Sequence, residues 1–265
     1  MVPLCITCVE SLDQVSVSAV QADRSECVYA VHNVACACDQ SRTCDIVSLP
    51  SNGIGAEGAQ GLVPLLELGT SLTTLNLRFC DIDAAGCAAL SEGVGQSAAL
   101  AELHLFGNHI GDAGAQALGA ALGSCVSLTR LNLGSCKIGP AGCRALCEGV
   151  LSNAAIVDLS LMNNCFGDAG VRDLATMLSE HGALTRVDLT ANSISEHGAT
   201  LLLQAIQRGP KRLSPLELRG VSLCNAAATV GLVGTGGGSD NASILSALND
   251  RCSAGNSLAM RLGWH

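Results

Sequence analysis

Hydrophobic positions recur along the chain with a fixed period. Cys44, Leu72, Leu100, Leu128, Ile156 and Leu184 each lie 28 residues after the last. Three positions on come Val47, Leu75, Leu103, Leu131, Leu159 and Val187, and two beyond those Leu49, Leu77, Leu105, Leu133, Leu161 and Leu189. In the spacing L-x-x-L-x-L the last two apolar residues share one face of a short strand, because side chains alternate with period two. Each unit is therefore predicted to contribute one strand. A seventh unit follows with one extra residue, as Leu213, Leu216 and Leu218.

Three residues past the last strand leucine stand Asn52, Cys80, Asn108, Cys136, Asn164 and Asn192, where an amide can bond the backbone of neighbouring coils and a thiol offers a weak donor of similar size. Ile54, Ile82, Ile110, Ile138, Phe166 and Ile194 plug the corner. A glycine recurs at 58, 86, 114, 142, 170 and 198 ahead of a helical pattern. The helical core face is Leu62, Leu90, Leu118, Leu146, Leu174 and Leu202. Four residues later, one helical turn on, come Leu66, Val94, Leu122, Val150, Leu178 and Ile206. Asp112, Asp168 and Glu196 fall near the helix starts, where the dipole favours acids, and Pro140 suits a first turn.

A strand and a helix in every unit, stacked in register, predict an α/β solenoid: parallel strands on the concave side, helices on the convex side. No unit buries its own apolar face, so stacking is the condition for stability. Segments such as LAELHLFGNHIGDAGAQALGAAL resemble the leucine-rich repeats of the ribonuclease-inhibitor subfamily, shared with NOD-like receptors and Ran GTPase-activating proteins. The alternation of Asn and Cys from Asn52 to Asn164 is similar to the paired repeat types of ribonuclease inhibitor. The likeness covers about residues 44–224 and departs in the seventh unit, where Val221 replaces the Asn or Cys.

The expected organisation is a degenerate N-terminal capping segment (1–43), a solenoid of about seven repeats (44–224) and a flexible C-terminal tail (225–265). Leu12, Val15 and Val17 repeat the strand spacing, and a helical stretch is expected near 25–37. The tail runs from the glycine-rich GTGGGSD at 234–240 to a possible short helix at 241–251.

Composition narrows the class. Apolar residues make up 48% of the 265, yet aromatics only 2%, which fits a layered core of small and branched side chains. A formal charge of −9 works against broad contact with nucleic acid or anionic membrane, and no apolar run is long enough to span a bilayer. The first residues lack the basic region of a secretory signal. Fifteen cysteines is an odd number, and many occupy inward positions of the repeat, which favours free thiols and a reducing cytoplasm or nucleus. The one glycosylation sequon, at Asn241, lies in the tail.

Signals for chemistry are sparse. Cys5, Cys8, Cys27, Cys36, Cys38 and Cys44, with His32, offer thiolates for zinc but only one close knuckle, and Cys44 holds a leucine position, so no metal or other cofactor is expected. GTGGGSD has no following Lys and matches no phosphate loop. His104 projects from the concave sheet with no nucleophile or carboxylate fixed beside it by a motif. No catalytic residue is assigned.

The concave face presents three outward columns: Glu102, Arg130, Asp158 and Arg186; then Asn76, His104, Asn132, Ser160 and Asp188; then Arg78, Phe106, Gly134, Met162 and Thr190. The first alternates in sign and reads as a self-neutralising ladder or a polar contact strip. The third is partly apolar, with a gap expected at Gly134 between Phe106 and Met162. The function expected is a monomeric, non-catalytic module binding a protein partner through Arg78, Glu102, His104, Phe106, Arg130, Asn132, Gly134, Asp158, Met162, Arg186 and Asp188. The alternative is a GTPase-activating protein similar to those of Ran. Ribonuclease inhibition fits poorly with Arg78, Arg130, Arg186 and Arg219 on that face.

Overall fold

The computed structural model describes residues 6–8, 14–17, 45–67, 71–208, 216–219 and 259–262. Among them ten strands form one sheet in chain order. β1 (Ile6–Cys8) pairs antiparallel with β2 (Gln14–Val17). Parallel pairing then runs from β2 through β3 (Ile46–Ser48), β4 (Thr74–Asn76), β5 (Glu102–His104), β6 (Arg130–Asn132), β7 (Asp158–Ser160) and β8 (Arg186–Asp188) to β9 (Leu216–Arg219). β10 (Ala259–Leu262) closes the sheet antiparallel. Between the strands lie α1 (Gly55–Gly61), α2 (Val63–Glu67), α3 (Ala84–Gln96), α4 (Gly111–Leu122), α5 (Pro140–Ser152), α6 (Gly167–Glu180) and α7 (Glu196–Arg208). The α/β solenoid expected from the period is the fold.

The strands are short because the chain turns immediately after the second inward leucine. Ser51, Phe79, Gly107, Ser135, Asn163 and Ala191 all have φ between 52 and 76°, the left-handed region, and bend the chain toward the helix. The repeat ladders whose side chains are described are buried, from Leu75, Leu103 and Leu131 on the strands to Leu90, Leu118 and Leu146 on the helices, except at Ile194, which is partly buried. The three-residue strands bury only their central residue, so the flanking pair faces away from the helices.

The Asn and Cys positions form one alternating hydrogen-bond spine. Asn108 donates from Nδ2 to the Leu77 and Leu105 carbonyls, while its Oδ1 accepts from the Cys80 and Ile82 amides. Asn164 does the same for Leu133, Leu161, Cys136 and Ile138. A thiol can donate but accepts poorly. Cys136 accordingly donates to the Leu105 carbonyl at 3.2 Å, and its own amide is satisfied by the next repeat's Asn164. Asn108 and Asn164 thus each serve the Cys repeat before them, giving the two alternating repeat types a physical meaning, while Asn192 accepts from the amide of Asn164.

Helix capping also crosses repeats. Asp83 caps its own α3, accepting from the Gly86 amide at 2.9 Å. At the start of α5 the cap residue is Gly139, which has no side chain. Asp112, in the first turn of α4, supplies the carboxylate instead, accepting from the Gly139 amide at 2.6 Å and the Gly142 amide at 3.0 Å. Asp168 of α6 likewise accepts from the Ser195 amide and hydroxyl ahead of α7.

The ends differ from expectation in two ways. Leu218, not Leu216, pairs with Val187, so the seventh strand is offset by two residues. An offset of two leaves the same side chains on the same face, because side chains alternate with period two, and the leucine pattern alone cannot distinguish the registers. The tail expected to be flexible contributes β10, which satisfies the outer edge of β9; a bare edge strand exposes unpaired amides and carbonyls. The rest of 225–265, and the helical stretch expected at 25–37, lie outside the described residues. At the other end, Val15 pairs with Val47, as the N-terminal spacing predicts.

Candidate functional site

Parallel pairing places the predicted columns side by side on the helix-free face: Glu102, Arg130, Asp158 and Arg186 on adjacent strands, and next to them His104, Asn132, Ser160 and Asp188. The charged column resolves into pairs, with Arg130 to Glu102 at 2.7 Å and Arg186 to Asp158 at 2.9 Å. Both arginine side chains are about half exposed, at 56% and 49%, so each pair contributes little to stability. In the second column Asn132 and Asp188 turn back on their own chain, accepting from the amides of Gly134 and Thr190 at 3.0 Å. Their side chains hold the strand exits in shape.

His104 has a defined tautomer. Its Nδ1 faces an Arg78 Nη2 at 3.5 Å and accepts, so Nε2 carries the proton and donates to Glu102 at 3.2 Å. Arg78, His104, Glu102 and Arg130 are thus linked in series. Arg78 is the odd member. Its Nε is buried without a hydrogen-bond partner, and among the described residues no carboxylate lies within ion-pair reach of it.

The third column changes most. No gap opens at Gly134, which is buried. A Cβ there would stand 2.6 Å from Phe106 Cδ2 and 2.8 Å from Met162 Cγ. The two side chains lean inward and close over the glycine, because a ring left upright would lose its apolar contact to water. The same device recurs one repeat earlier, where a Cβ on Gly107 would lie 2.4 Å from the ring of Phe79. Phe79 in turn meets Phe106 edge to face with ring centroids 5.2 Å apart. The result is an apolar ridge of Phe79, Phe106 and Met162 seated on two glycines.

Phe79 was not among the residues expected at the site. It is 53% exposed and has φ +53°, a conformation costly for a bulky residue. Its counterparts in other repeats are Ser51, Gly107, Ser135, Asn163 and Ala191, all small or polar. That mismatch is the sequence signal that marks it.

The described thiols are not reactive groups of this site. Cys87, Cys125, Cys136, Cys143 and Cys147 are free and buried, Cys80 is buried, and Cys165 is free and exposed. Burial pushes Cys87 and Cys136 up to about 12, and the hydrogen bond with Cys143, with burial, raises Cys147 well above the usual thiol range. The N-terminal cysteines considered for zinc, and His32, have no described side chains. Among the described residues no three His, Cys, Asp or Glu side chains are grouped to hold a metal, and no helix is long and apolar enough to cross a membrane. On the convex side a shallow groove between α4 and α5 is lined mainly by small residues, including Gly119, Ala120, Ala145 and Gly149.

Four stretches of the sequence, 70–91, 98–119, 124–147 and 152–175, match the Leucine Rich repeat family. No curated protein sequence matches the chain significantly. Among solved structures, similar ones include leiomodin-1 actin-binding site 2 (15% identity, 71% of this chain and 90% of that one, TM-score 0.45). Others are the tropomodulin C-terminal domain of Caenorhabditis elegans (14%, 71% and 93%, TM-score 0.42) and Rad7 in the yeast Rad7–Elc1 complex (17%, 63% and 48%, TM-score 0.38). Likeness at these scores carries no weight for function.

Proposed function

We propose that this leucine-rich-repeat solenoid is a non-catalytic module that binds a protein partner on its concave face, through the ridge of Phe79, Phe106 and Met162 and the charged columns beside it. One observation supports this above the rest. An aromatic ring stands half exposed in a backbone conformation that every equivalent position fills with a small or polar residue. Leaving half of the ring exposed forgoes about half of the roughly 1.5–3 kcal/mol that full burial gives, and holding a non-glycine residue in the left-handed region costs on the order of 1 kcal/mol more. Folding gains in return the edge-to-face contact with Phe106, about 0.5–1.5 kcal/mol, and the packing of the ring's buried half over Gly107. Large apolar side chains held rigidly at a surface are the usual anchors of protein interfaces.

The repeat type resembles the ribonuclease-inhibitor subfamily, and the alternating Asn and Cys spine is consistent with that placement. Nothing among the described residues favours the GTPase-regulator reading. The test is parallel capture from native cell extract with the parent chain and Phe79→Ser, read by quantitative mass spectrometry. A partner retained by the parent and lost by the variant at unchanged melting temperature supports the module. Identical recoveries with both chains count against the ridge.

A further inference from the structure

We infer that the concave ridge takes a partner segment presenting a carboxylate to Arg78 beside a large apolar side chain set against Phe79 and Phe106. This rests on the concave-face reading above and adds the chemistry of the occupant. The two exposed arginines of the charged column already have carboxylates, Glu102 for Arg130 and Asp158 for Arg186. Arg78 has only the imidazole of His104 within hydrogen-bond reach of its guanidinium, and its Nε is buried without a partner. A guanidinium half-buried without a counter-ion is the unbalanced positive charge of this face among its described side chains. A carboxylate supplied by a partner balances it, through the paired N–H geometry that guanidinium offers.

Placement fixes the second half of the motif. Arg78 adjoins Phe79 in sequence and lies beside Phe106 in the third column, on neighbouring strands about 4.8 Å apart. The Phe79 amide donates to the Phe106 carbonyl at 2.9 Å, so both rings and the guanidinium belong to one hydrogen-bonded ladder and keep their spacing. An acid and an apolar side chain about 5–7 Å apart match this spacing, as two residues along an extended chain or three to four along a helix. The chain's net charge of −9 does not forbid an acidic partner, because screening at physiological salt acts beyond about 8 Å whereas the Arg78 contact is made at hydrogen-bond distance. Beside the rings a basic segment finds no equivalent opening, since Glu102 and Asp158 are already paired and Asp188, held by Thr190 without a cation, lies three strands from β5.

The probe is a displayed library of random short peptides selected on the whole chain, followed by anisotropy titration of the best binder. Enriched sequences should carry Asp or Glu within four positions of Phe, Leu, Ile, Met or Trp. Arg78→Gln and conversion of the peptide acid to its amide should each weaken binding about tenfold, and together no more than either alone, because both remove one contact. Arg78→Lys, which keeps the charge, should restore part of the loss. If Phe79→Ser and Phe106→Ala abolish binding while Arg78→Gln leaves it unchanged, the carboxylate assignment fails and the ridge stands. If none of the variants changes binding, the concave reading fails with it. Self-association of the chain that is lost in Phe79→Ser would put a second copy on the ridge and overturn the assignment.

Discussion

Phe79 donates its backbone N–H to the Phe106 carbonyl at 2.9 Å, and the two rings meet edge to face with centroids 5.2 Å apart. Backbone and side chain are therefore locked by the same neighbour. A surface ring fixed in this way loses little conformational freedom when a partner covers it, which is the condition for an efficient anchor.

Gly134 carries a consequence for stability. Gly134→Ala should cost about 1–3 kcal/mol, because its methyl meets Phe106 and Met162 below contact distance. In the Phe106→Ala background the cost should fall by at least half, since the ring that collides is gone. Urea unfolding of the four variants of this cycle measures the coupling, and strict additivity would show that the ring does not rest on the glycine.

Asp112→Ala should destabilise by about 1–2 kcal/mol through the loss of a cap on the following helix rather than its own. Adding Gly139→Ser to that variant should recover much of the loss. Gly139 has extended backbone, φ −94°, which any residue adopts, and removing the Asp112 carboxylate clears the space a Cβ needs. Thermal unfolding of the single and double variants reads this, and no recovery would mean that the carboxylate acts only on its own helix.

Asn164→Ala strips five hydrogen bonds and leaves the amides of Cys136 and Ile138 buried without acceptors. A cost of about 3 kcal/mol or more is expected. Cys136→Ala, which removes a weak donor, should cost about 1–2 kcal/mol. Equal losses in urea unfolding would contradict the spine.

The buried thiols make stability fall at alkaline pH. Cys87 and Cys136 rise from an ordinary value of 9.0 to about 12 in the folded chain, because burial disfavours the thiolate. The unfolded chain ionises first, so the contribution of each is complete below about pH 9 and lost as pH rises toward 12. The slope is about 1.4 kcal/mol per pH unit for each thiol within that window. Replacing both by Ala lowers stability at pH 7 but should flatten the decline between pH 9 and 10.5. An unchanged slope would assign the alkaline loss to other groups.

Much of this fold is legible in the sequence because a repeat presents the same evidence several times over. Leu75, Leu103, Leu131 and Leu159 confirm one another, and the strand register follows from their spacing. Features that occur once are hidden. The offset at Leu218 preserves the hydrophobic face and leaves no trace in the pattern. The columns of the concave face are legible too, since pairing follows the period. What the side chains do there is not: Phe106 and Met162 lean over Gly134, Asn132 and Asp188 bond their own strand exits, and Arg78 is left without a carboxylate. Those outcomes depend on rotamers and on neighbours one repeat away.

Hydroxyl-radical footprinting of the chain with and without a captured partner reads whether the ridge is the contact surface. The radical oxidises exposed aromatic and thioether side chains, and Phe79, Phe106 and Met162 report individually. Val126, 78% exposed and away from the ridge, and Phe166, buried in the core, serve as the exposed and buried references. Oxidation of the three ridge residues should fall several-fold on binding while Val126 and Phe166 stay unchanged. Unchanged oxidation of all three with a partner bound would show that the ridge is not the contact surface and move the interface to the convex helices or the ends of the solenoid.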